Sequence, residues 1–320
     1  MRTPGHWQHR GLLSTLLLPF SYLYGIGARY DRTHTLAQRA ALPVISIGNV
    51  TAGGAGKTPT AIALAAMLRS MGQTPHLITR GYGSDATATR RAETTSDWRS
   101  IGDEALLLAQ AAPTWVGRDR IASSEAAKQA GATLVIADDA LQHHRIVRDI
   151  SILVIDGAYG FGNGHLIPAG PLREPIADAV ARTDAVILIG ENRHGLRFDK
   201  PIFTAHLQPV GDTAWLSKQR VLAFAGLARP EKFFATLKVL GADLIGTYRF
   251  PDHHPFTARE LDILCYAAEK AGAIAIATAK DAVKFPPAYR EKIRVLDVAL
   301  SFDDTPGLQK WLQSMLQRTI

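Results

Sequence analysis

A single cysteine, Cys265, stands among 320 residues. No disulfide framework can therefore be closed within the chain, which agrees with a reducing compartment. There is no internal repeat and no low-complexity tract, so repeat architectures are excluded. The paired histidines His253 and His254 have no nearby cysteine and no H-x₃-H partner, which argues against a zinc site. No motif interleaves aromatic and basic residues, so nucleic-acid binding lacks its usual signature. Long apolar runs are missing too. From Gly11 to Ala28 there is no charged residue, but the run carries Ser14, Thr15 and Ser21 and is interrupted by Pro19 and Gly25. A spanning helix needs about 20 predominantly apolar residues. No A-x-A site follows, as a cleaved signal peptide would require.

What is present is a globular composition, 47% hydrophobic and 20% charged, in a chain long enough for two domains. Net charge is +7. Such a balance suits an anionic membrane face, nucleic acid or a phosphorylated substrate, and charge alone does not choose. In the N-terminal run, Leu12, Leu13, Leu16, Leu17, Leu18, Phe20, Tyr22, Leu23, Tyr24 and Ile26 are flanked by Arg2, Arg10, Arg29 and Arg32. This favours a helix lying at a membrane surface with aromatic and basic anchors; a buried core helix is the alternative.

The organising stretch is Asn49-Val50-Thr51-Ala52-Gly53-Gly54-Ala55-Gly56-Lys57-Thr58. It follows the apolar run Val44–Ile47 and precedes a helical segment at 61–68. Strand, glycine-rich turn, Lys-Thr and helix is the context of a phosphate-binding loop. Glycines let successive N–H groups curl around phosphate oxygens, and the helix N-terminus favours an anion. Thr51, Ala52, Gly53, Gly54, Ala55, Gly56, Lys57 and Thr58 are thus the candidate ATP-binding residues. Lys57 is read as a phosphate ligand and Thr58 as an Mg²⁺ ligand. Thr51 stands where G-x-x-x-x-G-K-[ST] has glycine. The apolar strand 133–137 ends in Asp138-Asp139, where such enzymes keep a metal-holding carboxylate, and both are candidate Mg²⁺ ligands.

Strand and helix alternate along the rest of the chain, predicting parallel sheets covered by helices. Strands are expected near 74–79, 114–116, 150–155, 184–189, 221–225, 243–248, 273–277 and 293–298. A polar excursion is expected at 84–100 and a linker at 190–200. The fold class is α/β: a P-loop NTPase-like sheet, a smaller α/β second lobe and an N-terminal membrane-associating helix. The expected domains are 1–30, 31–195 and 196–320, with a crevice between lobes as the default active site. Asp103 and Glu104 open a helix, where their charge also suits the dipole. His253 follows a strand in the second lobe. A histidine working with a carboxylate as general base is natural near neutral pH, and Asp103 is the partner chosen. Lys280, Asp281 and Lys284 are candidates for contact with nucleotide or an acidic substrate, the alternative being a solvated helical turn. Arg80, Arg118, Arg120 and Arg173 are candidates for a substrate phosphate.

These motifs together resemble the tetraacyldisaccharide 4′-kinases. The resemblance runs from about Pro43 to Lys284. It is carried by Gly53-Gly54-Ala55-Gly56-Lys57-Thr58-Pro59, Arg80-Gly81-Tyr82-Gly83, Gly102-Asp103-Glu104 and Asp138-Asp139-Ala140-Leu141-Gln142-His143. Phe161-Gly162-Asn163-Gly164, Gly170-Pro171-Leu172-Arg173-Glu174-Pro175, Phe250-Pro251-Asp252-His253-His254 and Lys280-Asp281-Ala282-Val283-Lys284 complete it. It implies transfer of the ATP γ-phosphate to the 4′-hydroxyl of a tetraacyldisaccharide 1-phosphate, giving the bisphosphorylated lipid A precursor. It also implies Mg²⁺, an acylated disaccharide partner, and a peripheral place on the cytoplasmic face of the inner membrane. The implied catalytic pair is Asp103 and His253, with Glu104, Gln142, Arg173 and Glu174 in the active site. A membrane-tethered P-loop ATPase or switch protein is the alternative. The chain departs from the family pattern at Ala105, Ala140, Leu141 and Ala279.

Overall fold

The computed structural model describes residues 4–85 and 88–319. The first three positions of the N-terminal segment, Arg2 among them, and two positions of the 84–100 excursion lie outside the described residues. The chain forms two compact units, Pro4–Leu207 with Leu300–Ile320, and Gln208–Ala299.

The larger unit opens with helices α1 (Leu12–Leu16) and α2 (Leu18–His34). Then come β1 (Val44–Gly48), α3 (Lys57–Ser70), β2 (Pro75–Thr79), β3 (Arg90–Ala92), α4 (Trp98–Ile101), α5 (Asp103–Ala111) and β4 (Thr114–Val116). They are followed by α6 (Arg120–Gln129), β5 (Leu134–Ala137), β6 (Ile150–Asp156), α7 (Ile176–Ala181), β7 (Ala185–Ile189) and β8 (Ile202–Pro209). The sheet order is β13-β8-β7-β6-β1-β5-β2-β4-β3, with β13 (Val298–Phe302) returning from the far end of the chain. Pairing is parallel from β4 across to β8, and β3 runs antiparallel on β4. β1 lies between β5 and β6 and all five of its residues are buried, Ser46 included, as a largely apolar strand requires when helices cover both faces. The chain builds from β1 toward one edge, comes back with β5, then continues past β1 with β6 and β7. The C-terminal end of β1 is thus a topological switch point, where open α/β sheets bind ligands.

The smaller unit holds β9 (Arg220–Ala225), α8 (Glu231–Val239), β10 (Asp243–Arg249), α9 (Ala258–Lys270), β11 (Ile274–Thr278), α10 (Ala279–Ala282) and β12 (Arg294–Leu296). Its sheet order is β10-β9-β11-β12, parallel throughout. Phe224, Phe250, Phe256 and Phe285 form its aromatic core.

The observed division departs from the expected 195/196 boundary. Residues 196–207 and the C-terminal helix α11 (Thr305–Thr319) belong to the larger unit. Leu308, Leu312 and Leu316 recur every four residues on one face of α11 and enter the same core as Ile45, Ile152 and Ile187. The single strand expected at 293–298 is two strands, β12 and β13, one in each sheet. The 84–100 stretch contains β3 and α4, and the linker at 190–200 leads into an unforeseen strand, β8. The N-terminal run is not broken at Gly25: α2 continues through it, and Pro19 sits in the first turn, where its missing N–H costs nothing.

Candidate active site

Gly56 takes φ +94 just before α3, and a Cβ there would lie 2.5 Å from Ile189 Cδ1. Only glycine fits. Lys57 and Thr58 then open the helix. Glycine is not needed at 51, because Thr51 is extended and forms an antiparallel bridge with Leu172. The Ala52 N–H donates to Pro171 O at 2.8 Å. Thr51 and Ala52 therefore brace the loop against residues 171–173, and Gly53 to Thr58 carry it on into α3. Asn49, which opens the organising stretch but was given no site role from sequence, organises the interior. Its buried Nδ2 donates to Thr51 O (2.6 Å), and its Oδ1 accepts from Lys57 Nζ at 3.1 Å.

The two aspartates after β5 divide. Asp138 is buried, and its Oδ2 accepts from Thr58 Oγ1 at 3.1 Å. Burial first, then the neighbouring Glu104, push its carboxyl well above the usual range, while Lys57 opposes. Asp139 takes φ +48 and turns the other way, 3.0 Å from Arg173 Nη1 and 3.6 Å from Lys57 Nζ. Burial would raise its carboxyl, but Lys57 and Arg173 outweigh it and hold Asp139 below the ordinary range. The strained backbone of this turn thus falls on Asp139; Ala140, which replaces the family glycine, stays out of the left-handed region.

Gln142 donates to Asn49 O (2.8 Å) and to Glu174 Oε1 (3.0 Å). Glu174 also accepts from Arg182 and lies 3.6 Å from Arg32 of α2. Gln142, Arg173 and Glu174 are thus brought together beside the phosphate loop, with Glu174 acting as a buried hub. Arg120 does not face a ligand. It is buried, its Nη2 donates to the carbonyls of Asp138 and Asp139 at 2.9 Å, and burial lowers its pKa to about 10. Arg80 and Arg118 instead line a cavity of about 210 Å³ with Tyr82. Asp103 is buried at the start of α5, after Gly102 at φ +91, and its Oδ1 accepts from the Glu104 N–H. Glu104 is close enough to raise Asp138, so the start of α5 belongs to the same carboxylate cluster.

In the smaller unit His253 takes φ +60 on the turn after β10. Its Nε2 lies 3.4 Å from Lys280 Nζ and 3.7 Å from Asp252. His254 instead meets Glu260 at 3.0 Å and stacks on Phe250, so the two histidines face different partners. Asp281 and Lys284 neither line an open surface nor form a solvated turn. Both are fully buried and pair at 3.0 Å, against either expectation for them.

The N-terminal helices are amphipathic in reverse. Ser14 and Ser21 are buried, whereas Leu12 is 88% and Tyr22 72% exposed, with Leu16, Phe20, Leu23 and Ile26 alongside. Ser21 Oγ donates to Leu166 O at 2.8 Å. Arg32 is turned onto Asp178, and Arg10, though exposed, donates from Nε to the Asn163 carbonyl. No helix among the described residues is long and apolar enough to cross a membrane.

Known proteins are similar to this chain in sequence and in fold. The family model of tetraacyldisaccharide-1-P 4′-kinase, LpxK, matches residues 13–317. The chain belongs to this family. A tetraacyldisaccharide 4′-kinase of Paramagnetospirillum magneticum is 45% identical, over 95% of each chain. One from Jannaschia is 44% identical, over 99% of this chain and all of the other. A crystal structure of LpxK from Aquifex aeolicus in complex with ATP superposes with a TM-score of 0.78 at 28% identity, covering 95% of this chain and 99% of that one. The departures at Ala105, Ala140 and Leu141 fall on buried positions of this LpxK-family chain. Leu141 is matched by Gly48, where a Cβ would lie 2.4 Å from the Leu141 Cβ.

Proposed function

We propose how the family's reaction is carried by these residues. As a member of the family, the chain is an ATP-dependent kinase of lipid A biosynthesis that phosphorylates the 4′-hydroxyl of tetraacyldisaccharide 1-phosphate. The observation that carries the reading is Lys57-Thr58 opening a helix at the sheet's switch point, with Asp138 3.1 Å from the Thr58 hydroxyl. Gly53 to Thr58 hold the ATP phosphates by backbone N–H groups and the dipole of α3. Lys57 and Arg173, which share Asp139, neutralise charge developing on the γ-phosphoryl. Asn49 and Asp139 keep Lys57 at its station.

Thr58, Asp138 and Glu104 fit Mg²⁺. Among the described residues no three His, Cys, Asp or Glu side chains form a metal cage. Mg²⁺ does not need one, since one or two carboxylates with phosphate oxygens and water suffice. A buried carboxylate pushed up by its surroundings is one that a divalent cation would return to the ionised form. When bound, the ion would offset the negative charge of the nucleotide phosphates.

Asp103 accepts the proton of the sugar hydroxyl, and His253 serves the same transfer. Supporting this are the place of Asp103 in the first turn of α5, where the helix dipole attracts negative charge, and the strained turn that presents His253 beside Lys280 and Asp252. The outward apolar face of α1 and α2 seats the enzyme on the cytoplasmic face of the inner membrane, where the acylated substrate resides. The test follows label from γ-labelled ATP with Mg²⁺ into tetraacyldisaccharide 1-phosphate in detergent micelles. Label in the lipid, cut at least 100-fold by Asp103→Ala and by His253→Ala, is expected. Full transfer in either variant discards that residue's role, and label released only as free phosphate removes the transfer reading.

A further inference from the structure

The segment between Tyr159 and Glu174 is gripped at both ends. At one end Asn163, itself buried, meets the N-terminal arm at every polar atom of its backbone. Its N–H donates to Trp7 O at 2.8 Å, and its carbonyl accepts from Arg10 Nε at 3.1 Å. Its Nδ2 donates to His6 O (2.9 Å) and Ala169 O (2.8 Å), while its Oδ1 accepts from the His165 N–H at 3.0 Å. Trp7 Nε1 adds a bond to Pro168 O at 3.0 Å. The approach is close enough to dictate glycines: a Cβ on Gly162 would lie 2.6 Å from Trp7 O, and one on Gly170 2.1 Å from Asn163 Oδ1. At the other end Leu172 bridges Thr51, the Arg173 N–H donates to Val50 O at 2.8 Å, and Pro171 O holds the Ala52 N–H.

The two ends are joined directly. His165 O accepts from the Leu172 N–H at 3.0 Å, and Leu172 O accepts from the Ile167 N–H at 2.9 Å. Hydrogen bonds thus join Trp7, Asn163, His165 and Leu172, and the Pro171–Ala52 and Arg173–Val50 bonds on either side of Leu172 carry the connection from the arm to the start of the phosphate loop. An arm that served only to seat the protein on lipid would need none of it. We infer that Asn163 is a positioning residue through which the N-terminal arm holds the phosphate loop in its ATP-binding shape. The arm then governs nucleotide affinity as well as encounter with the lipid. This rests on the reading that Gly53 to Thr58 hold ATP.

The test is direct binding of a fluorescent ATP analogue to the full chain, without lipid, beside lipid KM and kcat. Asn163→Asp keeps size and the bond from His165 but turns an oxygen on the carbonyls of His6 and Ala169. Trp7→Phe removes one N–H and little else. We expect Asn163→Asp to weaken ATP binding about tenfold, and Trp7→Phe about twofold to fivefold, the factors that lost hydrogen bonds carry. Circular dichroism reports the folded fraction, which alters the number of sites and not the dissociation constant. Should Asn163→Asp fail to fold, Trp7→Phe decides alone. Wild-type ATP affinity in the folded variants, with only lipid KM changed, overturns the inference. Lys57→Ala separates the two readings. If it abolishes ATP binding while the arm variants keep it, only the positioning role fails; if it binds ATP normally, the nucleotide site itself is misassigned.

Discussion

The buried pair Asp281–Lys284 gives the sharpest energetic prediction. Both side chains are fully buried, at 3.0 Å. Asp281 Oδ2 also accepts from the Gly226 N–H (3.0 Å) and the Thr278 hydroxyl (2.7 Å), while Lys284 lies 5.4 Å from the Phe256 ring centre. Lys284→Met leaves a carboxylate sealed in the core with only two neutral donors. Breaking a buried pair from one side costs about 3–5 kcal/mol. Asp281→Asn removes the counter-charge of the buried ammonium and costs a similar amount. The double variant carries no buried charge, and the carboxamide oxygen introduced at position 281 still accepts from the Gly226 N–H. We expect it to cost about 1–2 kcal/mol, so the cycle returns a coupling of several kcal/mol. Urea titration read by amide exchange in β9 and β11 measures each corner. The consequence reaches the site, since a Cβ on Gly226 would lie 3.2 Å from Pro251 O in the turn that carries His253. A Lys284→Met cost below about 1 kcal/mol, or additive single variants, would refute the reasoning.

Other outcomes follow from the same geometry. Asn49→Ala strips the donor from the buried Thr51 carbonyl and the acceptor from Lys57; ATP affinity should fall about tenfold in direct binding, given about 1–3 kcal/mol for an orphaned buried group. His143, held down to about 4 by burial and then by Arg120, binds its proton in the unfolded chain first. Stability should therefore fall as pH drops from about 6.5 toward 4, by about 1–2 kcal/mol after allowance for partial exposure. His143→Gln should flatten the pH dependence of Tm in that window, and an unchanged slope would exclude His143 as its source. Phe20→Gln with Leu23→Gln should weaken binding to anionic vesicles about 30-fold, at roughly 1 kcal/mol for each partly inserted side chain. Unaltered vesicle co-sedimentation would count against the membrane face.

The central strands were legible because Val44–Ile47, Leu134–Ala137 and Ile150–Ile155 are apolar runs interrupted only by Ser46 and Ser151, as two-sided burial demands. β8 was not. In Ile202–Pro209 only Ala205 is buried, so a strand near the sheet's edge reads as polar chain. The return at 299/300 was hidden because 293–302 is nearly continuous in apolar character although its halves join different sheets. At the site, what chemistry demands locally could be read: glycine at 56, Lys-Thr at a helix start, carboxylates at a strand end. What depends on distant partners could not. Arg120 looks like any phosphate-binding arginine until its guanidinium is seen on the carbonyls of Asp138 and Asp139. The pairing of Arg32 with Asp178 is likewise a tertiary fact, and it reverses the reading of Arg32 as an outward anchor.

That reversal bears on how the N-terminal helices meet lipid. A spanning helix must offer apolar surface on every side, because each polar group left in hydrocarbon costs several kcal/mol. Here one side of α2 is committed to protein. Ser21 both donates to Leu166 O and accepts from the Ala169 N–H, a Cβ on Gly25 would lie 2.9 Å from Leu166, and Arg32 is bound to Asp178 at 2.7 Å. Tyr24 lies near Arg173 and Glu174; burial and Glu174 raise its pKa, against Arg173. The opposite side carries Phe20, Leu23 and Ile26 with no protein cover. Lateral attachment with one greasy side fits a helix lying in the interface and excludes insertion without first tearing these bonds. On that reading the distance between lipid and phosphate loop would be fixed too, because the residues that hold α2 belong to the segment that braces Thr51 and Ala52. Replacing Ser21 by Leu would thus make the run more apolar and yet loosen the enzyme's hold on ATP. If hydrophobicity alone were the arm's purpose, the same change would strengthen vesicle binding and leave nucleotide affinity intact.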